Sequence, residues 1–436
     1  MAVPPPSKES PGPKLPALRV RTSVDHNCVL NQAGELRCFG QGMYGKLGYG
    51  NTNDIGDDEA PASAGIVDVG GRVVEVSAGY MHTCALLTEG RVRCWGWGQN
   101  GRLGYGNTDD IGDDEPPARA GDVPLGGRAK SVCAGQWHSC AVLDNGAVRC
   151  WGVGRYGRLG YGNVDDVGDD ETPAEAGDVV VGGKAARVFC GGQHTCALLD
   201  NGALRCWGAN FAGQLGYGHT NNVGDDEAPA TAGDVPVGGK ILDVGLAAIH
   251  TCVLIEGGRV RCWGNGDRGR LGTGNTNNLG DQPGELPVAD VKLSGTAVAL
   301  GVGDSHACVV LTSGDLQCFG DNIYGRLGYG HTNNIGDDET PSSVGVVPFA
   351  GEKFAAVAAG GAHTCALTTT GALRCFGHGA VGQIGQGNTD DVGNDEPASS
   401  IGPVPLFAIP EGFVARPLPP TNLRKKKHDG GKKLKR

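Results

Sequence analysis

The residues of this chain best placed to do chemistry are seven copies of one histidine–cysteine cluster. In the second copy His82 and Cys84 stand two apart, on one face of an extended segment, and Cys94 follows ten residues after Cys84. An imidazole and two thiols on one face are soft ligands of the kind that hold zinc, and the two thiols alone can join as a disulfide. A structural zinc site wants four ligands. No fourth recurs near the triad, so no metal is expected there. The histidines are expected to bond a neighbouring strand or turn through their ring nitrogens.

Fourteen of the sixteen cysteines form pairs ten apart: Cys28 with Cys38, Cys84 with Cys94, Cys140 with Cys150, Cys196 with Cys206, Cys252 with Cys262, Cys308 with Cys318 and Cys365 with Cys375. With a three-residue hairpin loop centred on Glu89, residues whose numbers sum to 178 face each other, and Cys84 and Cys94 do so. Directly opposed cysteines on antiparallel strands are within disulfide range. Two readings stand: seven cross-strand disulfides, which a reducing cytosol would not sustain, or fourteen small buried apolar residues. Cys133 and Cys190 lie outside the pattern and are expected to be buried free thiols.

A second recurring cluster is acidic. Asn-Thr-x-Asp-Ile-Gly-Asp-Asp-Glu and its variants place Asp57, Asp58 and Glu59; Asp113, Asp114 and Glu115; Asp169, Asp170 and Glu171; Asp225, Asp226 and Glu227; Asp337, Asp338 and Glu339; and a looser copy ending at Glu396. The fifth copy is broken as Asp281-Gln282-Pro283-Gly284-Glu285. Clustered carboxylates beside Asn and Gly could bind Ca²⁺, but the spacing does not match an EF-hand loop, and solvated Asx-type turns are the plainer reading. No cofactor is expected. Runs such as Gly96-Trp97-Gly98-Gln99-Asn100-Gly101 spell G-x-G-x-x-G. A dinucleotide site needs that motif to open a helix. Here it leads into Arg102-Leu103-Gly104-Tyr105-Gly106, which suits turns.

These clusters ride on a repeat. The anchoring histidines are His26, His82, His138, His194, His250, His306 and His363, spaced by 56 residues five times and 57 once. A period of this size marks one supersecondary unit stacked or closed into a ring. In the second unit Val73–Val76, His82–Leu87 and Arg91–Trp95 read as short strands, with Thr88-Glu89-Gly90 a hairpin loop whose glycine takes the left-handed position. About four short strands per unit, without helical periodicity, is the content of a propeller blade. Closing seven units into a ring also removes the sheet edges that an open stack would expose. The expected fold is an all-β, seven-bladed propeller over residues 15–420, with a proline-rich arm at 1–14 and a basic tail at 421–436.

The 436 residues carry a net charge of −11, which hides a split. Arg424, Lys425, Lys426, Lys427, Lys432, Lys433, Lys435 and Arg436 make the tail basic, and the remainder is strongly acidic. No apolar run could span a bilayer, so no membrane partner is expected. The N-terminal arm does not read as a signal peptide, which points to cytoplasm or nucleus, or to an extracellular protein if the cysteine pairs are oxidised.

Gly-x-x-His-Thr-Cys-Ala-Leu, then Val-Arg-Cys-Trp-Gly-x-Gly, then Gly-Arg-Leu-Gly-Tyr-Gly-Asn resembles the repeat of the regulator of chromosome condensation (RCC1-like) family, over all seven units. The resemblance implies the seven-bladed propeller but no particular activity. No nucleophile–base pair stands apart from the repeat, so an enzyme is not expected. The leading reading is a monomeric interaction scaffold. Its acidic loops share one face and attract a basic protein or peptide, for which the chain's own tail is a candidate in cis. The tail could equally act as a nuclear-localisation signal or a solvated arm. The alternative, implied by resemblance to the family's founder, is guanine-nucleotide exchange on a Ran-like small GTPase. That mechanism uses a protruding wedge in one blade, and the even spacings leave no room for one. An acidic body suits nucleic acid poorly. A plant ultraviolet-B receptor with this repeat stacks tryptophans just before the histidines, where here only Trp137 stands.

Overall fold

The computed structural model describes residues 18–407. The repeat folds as seven three-stranded antiparallel sheets. In chain order these are β1 (Leu18–Thr22), β2 (His26–Asn31) and β3 (Leu36–Gly40); β4 (Val73–Ala78), β5 (His82–Leu87) and β6 (Val92–Gly96); β7 (Ala129–Ala134), β8 (His138–Leu143) and β9 (Val148–Gly152). They continue as β10 (Ala185–Cys190), β11 (His194–Leu199) and β12 (Leu204–Gly208); and β13 (Ile241–Leu246), β14 (His250–Ile255) and β15 (Arg259–Gly264). The last two sheets are β16 (Ala297–Val302), β17 (His306–Leu311) and β18 (Leu316–Gly320); and β19 (Phe354–Ala359), β20 (His363–Thr368) and β21 (Leu373–Gly377). These are the blades of a seven-bladed β-propeller. Among the described residues no helix is long and apolar enough to cross a membrane.

The register is the one the hairpin arithmetic requires: His82 faces Gly96, Cys84 faces Cys94 and Leu86 faces Val92. The hairpin glycine is left-handed as expected (Gly90, φ 77°), and Glu89 before it is left-handed too, at φ 72°. Four full strands per unit is an overcount. The fourth, outermost segment forms only a short contact, such as Val67 N–H to the Leu36 carbonyl at 2.9 Å. Pro61 and Gly65 bracket the approach to that segment, and it stays too short to build a ladder.

The middle strand of each blade is buried on both faces; every residue of β5 is buried. Trp95, Trp151, Trp207 and Trp263, with Phe39, Phe319 and Phe376, fill the space between blades and are fully buried. The innermost strands β1, β4, β7, β10, β13, β16 and β19 surround the ring axis, and the residues at their C-terminal ends line a cavity along it.

Two contacts repeat at the blade junctions. In the first, a glycine of one unit's bend lies against the acidic loop of the next. A Cβ on Gly45 would sit 2.1 Å from the Gly112 backbone, and Gly50 N–H donates to the Gly112 carbonyl at 3.1 Å. The same contact closes the ring, where Gly387 N–H donates to the Gly56 carbonyl at 3.0 Å. The recurrent glycines therefore serve close approach of two backbones as well as turning. In the second, a histidine of one blade reaches the middle strand of the next.

Candidate functional site

The seven histidines are fully buried and form a belt. His26 Nε2 lies 2.9 Å from Thr83 Oγ1, His82 Nε2 2.7 Å from Ser139 Oγ and His138 Nε2 2.7 Å from Thr195 Oγ1. His194 meets Thr251 at 2.9 Å, and His306 meets Thr364 at 2.8 Å. Each hydroxyl spends its one proton on a backbone carbonyl, as Thr83 Oγ1 does on Lys46 at 2.9 Å. It must therefore accept from the imidazole, which fixes the Nε2–H tautomer. At the closing junction Asn27 does both jobs: Oδ1 accepts from His363 at 2.7 Å and Nδ2 donates to the Gln383 carbonyl at 2.8 Å. The belt has one gap. Ala307 stands where a hydroxyl is needed, and His250 Nε2 has no partner. Burial pushes His82, His194 and His363 down to about 3. The expectation that the histidines bond neighbouring elements holds in six of the seven copies.

In all seven cysteine pairs ten residues apart the sulfurs are bonded, with S–S separations from 2.06 Å at Cys28–Cys38 to 2.11 Å at Cys140–Cys150. Cys84–Cys94, Cys196–Cys206, Cys252–Cys262, Cys308–Cys318 and Cys365–Cys375 complete the set. The sulfurs and the Nε2 atom of the His82 triad are thus committed to other partners, and the triad offers no metal set. One expectation is overturned: Cys133 and Cys190 are not free thiols but bond to each other across blades three and four. Their positions differ by one strand residue, since Cys133 faces Cys140 whereas Cys190 faces Thr195. That offset hides a proximity that exists only between neighbouring blades.

The acidic loops share one face. In each blade the C-terminal ends of the inner and outer strands and the N-terminal end of the middle strand lie together, and the loop follows the outer strand. Part of each acidic motif is internal scaffolding. Asp54 Oδ1 accepts from Gly42 N–H at 2.8 Å, Asp110 from Gly98 at 2.8 Å and Asp166 from Gly154 at 2.9 Å, with Asn or Asp repeating the bond in the other units. Glu59 and Glu339 each accept from the motif glycine at 3.2 Å. The fifth loop, broken in sequence, is repaired in space. Glu285 accepts from Gly280 at 2.7 Å and from Gln282 at 3.0 Å, the role Glu59 fills elsewhere.

The second aspartate of five loops faces solvent: Asp58, Asp114, Asp170, Asp226 and Asp338 are exposed. Among the described residues none of these five forms an ion pair, whereas Asp122, Asp178, Asp234 and Asp290, at the blade edges, each pair with an arginine on the outer strand of the same blade at 2.6–2.9 Å. Desolvation and a hydrogen bond shared with the adjacent aspartate push Glu59 and Glu115 up to about 7. Carboxylate oxygens of Asp57, Asp58 and Glu59 lie within 4.8 Å of one another.

Inside this acidic rim lies a feature the motif reading passed over. Lys46, Arg102, Arg158, Arg270 and Arg326 occupy one repeat position and are all buried; Gln214 and Gln383 take the other two places. Burial pushes Lys46 down to about 8 and Arg102 and Arg158 to about 10. The Arg102 guanidinium lies 4.2 Å from the Trp97 ring centre and 5.3 Å from that of Trp137, and Tyr44 stacks on Trp97 at 5.1 Å. The signal was in the recurring Gly-Lys/Arg-Leu-Gly, where the conspicuous glycines drew the turn assignment and the cation was not read separately. Across the axial cavity Gln136 Nε2 donates to Asp304 Oδ1 at 3.0 Å, and burial pushes Asp304 up to about 6. The basic tail residues Arg424, Lys425, Lys426, Lys427, Lys432 and Lys433 lie outside the described residues.

A family model described as RCC1-like domain matches residues 35–406. The chain is 30% identical over 387 residues to the ultraviolet-B receptor UVR8 of Arabidopsis thaliana, covering 88% of this chain and 82% of that one. It is 30% identical over 339 residues to the human E3 ubiquitin-protein ligase HERC2, of which it spans only 6% of the length. Among solved structures Prp20p of Saccharomyces cerevisiae superposes with a TM-score of 0.64 at 20% identity, covering 89% of this chain and 87% of that one. With its sevenfold histidine–cysteine unit, its seven-bladed ring and these matches, the chain belongs to the RCC1-like domain family.

Proposed function

We propose that this propeller is a non-catalytic interaction scaffold that takes basic proteins or peptides on its acidic loop face. The observation that carries the reading is the row of exposed aspartates, Asp58, Asp114, Asp170, Asp226 and Asp338, without an ion pair among the described residues, on one face of a molecule whose edge aspartates are neutralised. Like charges gathered on one face raise the local concentration of a cationic partner and speed its encounter. The Prp20p structure was reported with that protein's binding to Gsp1p and histones. Histones are basic, but a fold-level likeness does not carry a partner across. The disulfides suit an oxidising compartment.

The test uses the full chain and a fluorescent peptide of residues 422–436. Binding should weaken roughly tenfold or more between 50 and 300 mM salt, as expected when several charges are screened. Replacing the five aspartates by asparagine should abolish it. Deleting residues 422–436 should raise affinity for an added basic peptide if the tail occupies the face in cis. Salt-independent binding, or binding unchanged in the five-site variant, would sink the scaffold reading. Accelerated release of labelled GDP from a Ran-like GTPase would replace it with nucleotide exchange.

A further inference from the structure

The two cysteines outside the sevenfold pattern occupy a setting no other pair shares. Cys133 lies in β7 and Cys190 ends β10, the innermost strands of neighbouring blades, with Cα atoms 5.5 Å apart and sulfurs bonded. The other fourteen are bonded within their own blades at 1% exposure or less. Cys133 is 6% exposed, whereas Cys190 is half-buried and lines the axial cavity of about 170 Å³. The neighbouring junction uses hydrogen bonds at the same level: Ala134 N–H donates to Ser77 Oγ at 2.9 Å and Val132 N–H to Glu75 Oε2 at 3.3 Å. Blades three and four have the disulfide there.

We propose that Cys133–Cys190 is a redox modification site, reached through the axial cavity by a low-molecular-weight thiol. Thiol–disulfide exchange requires a thiolate to reach a disulfide sulfur. Of the sixteen cysteine sulfurs, that of Cys190 belongs to the most exposed residue. Attack there breaks the Cys133–Cys190 bond and forms a mixed disulfide on Cys190. The electron pair of the broken bond leaves on Cys133, which takes up a proton. A second thiolate attacks the small-molecule sulfur of that mixed disulfide. Cys190 leaves as thiolate and is protonated, and the two small thiols depart joined as their own disulfide, having supplied both electrons. The buried blade disulfides cannot follow without unfolding, so the modification opens one junction and leaves each blade intact. Cys140, although its sulfur is within 4.8 Å of both, is held by Cys150.

The test exposes the native full chain to 2-mercaptoethanol, quenches with iodoacetamide and maps every cysteine by peptide mass spectrometry. Cys133 and Cys190 should be alkylated at least tenfold faster than any of the other fourteen, and a trapped mercaptoethanol adduct should sit on Cys190. Labelling of all sixteen at one rate, a blade pair reacting first, or the adduct on Cys133 would overturn the assignment. In the Cys133→Ser/Cys190→Ser variant the fast two-thiol phase should vanish; a fast phase that persists there overturns it as well. The wild-type rates decide the question by themselves should that variant fail to fold.

Discussion

Replacing Ala307 by threonine should close the gap in the histidine belt and stabilise the propeller. His250 Nε2 is buried without a partner, whereas the equivalent atom in the other six blades meets an oxygen at 2.7–2.9 Å. A buried donor left unpaired costs about 1–3 kcal/mol. Ala307 is fully buried, opposite Phe319 in the register that Thr251 shares with Trp263. A threonine hydroxyl there should accept from His250 and donate to the Arg270 carbonyl, as Thr251 donates to the Gln214 carbonyl at 2.8 Å. The added methyl already fits at Thr83, Thr195, Thr251 and Thr364, so the overpacking cost should be small; serine, as at Ser139, is the smaller control. The expected gain is about 1–2 kcal/mol, and Thr251→Ala should lose about 1–3 kcal/mol. Urea unfolding with the disulfides intact measures both. A coupling of about 1 kcal/mol between position 307 and His250 in a double-mutant cycle would tie the gain to this bond. The reasoning fails if Ala307→Thr and Ala307→Ser are both neutral or destabilising while Thr251→Ala leaves stability unchanged.

Other outcomes follow from the same geometry. Gly157→Ala should cost roughly 2–5 kcal/mol, because φ is +71° and the new Cβ would meet the Gly224 backbone at 2.2 Å. Gly177→Ala, at φ +83° with nothing within 4 Å, should cost only the backbone part, and equal losses at the two sites would refute the close-approach argument. The loop glutamates Glu59 and Glu115, raised to about 7, gain charge as pH rises through that value, so affinity for a basic peptide should grow from pH 5 to pH 8; a flat profile in calorimetry counts against the loop face. His82, His194 and His363 act on stability instead. Their folded pKa of about 3 lies below the unfolded value near 6.5, so the unfolded state takes up protons first. Stability should be full above pH 6.5 and fall towards pH 3, by roughly 1.4 kcal/mol per pH unit for each histidine. Denaturant midpoints that do not move over that range would contradict the buried neutral belt.

The blade was legible in the chain because its determinants are local and repeated. Two hydrophobic runs joined by a glycine turn set the register that brings Cys84 opposite Cys94, and seven copies 56 residues apart set the number of blades. The acidic loops were legible as a cluster, but not their division of labour. Asp54 and Glu59 bond backbone within the loop while Asp58 faces water, and a carboxylate's partner cannot be read from its spacing. The fifth loop seemed broken because its glutamate had moved by two positions, yet Glu285 reaches the same amide.

The sequence by itself determined the unit, its count and the pairing within each hairpin, since those contacts join residues about ten apart on one stretch of chain. Only the tertiary structure decided what holds the ring together: the hydroxyl 57 or 58 residues away that receives the imidazole proton in five blades, Asn27 closing onto His363, the bond between Cys133 and Cys190, and the cations gathered inside the acidic rim. The physical reason is the inter-blade distance. Contacts between blades depend on how each sheet is rotated and set against its neighbour. That geometry exists only once the ring has closed, and it leaves no periodic mark in the chain beyond a residue that is small, polar or out of step.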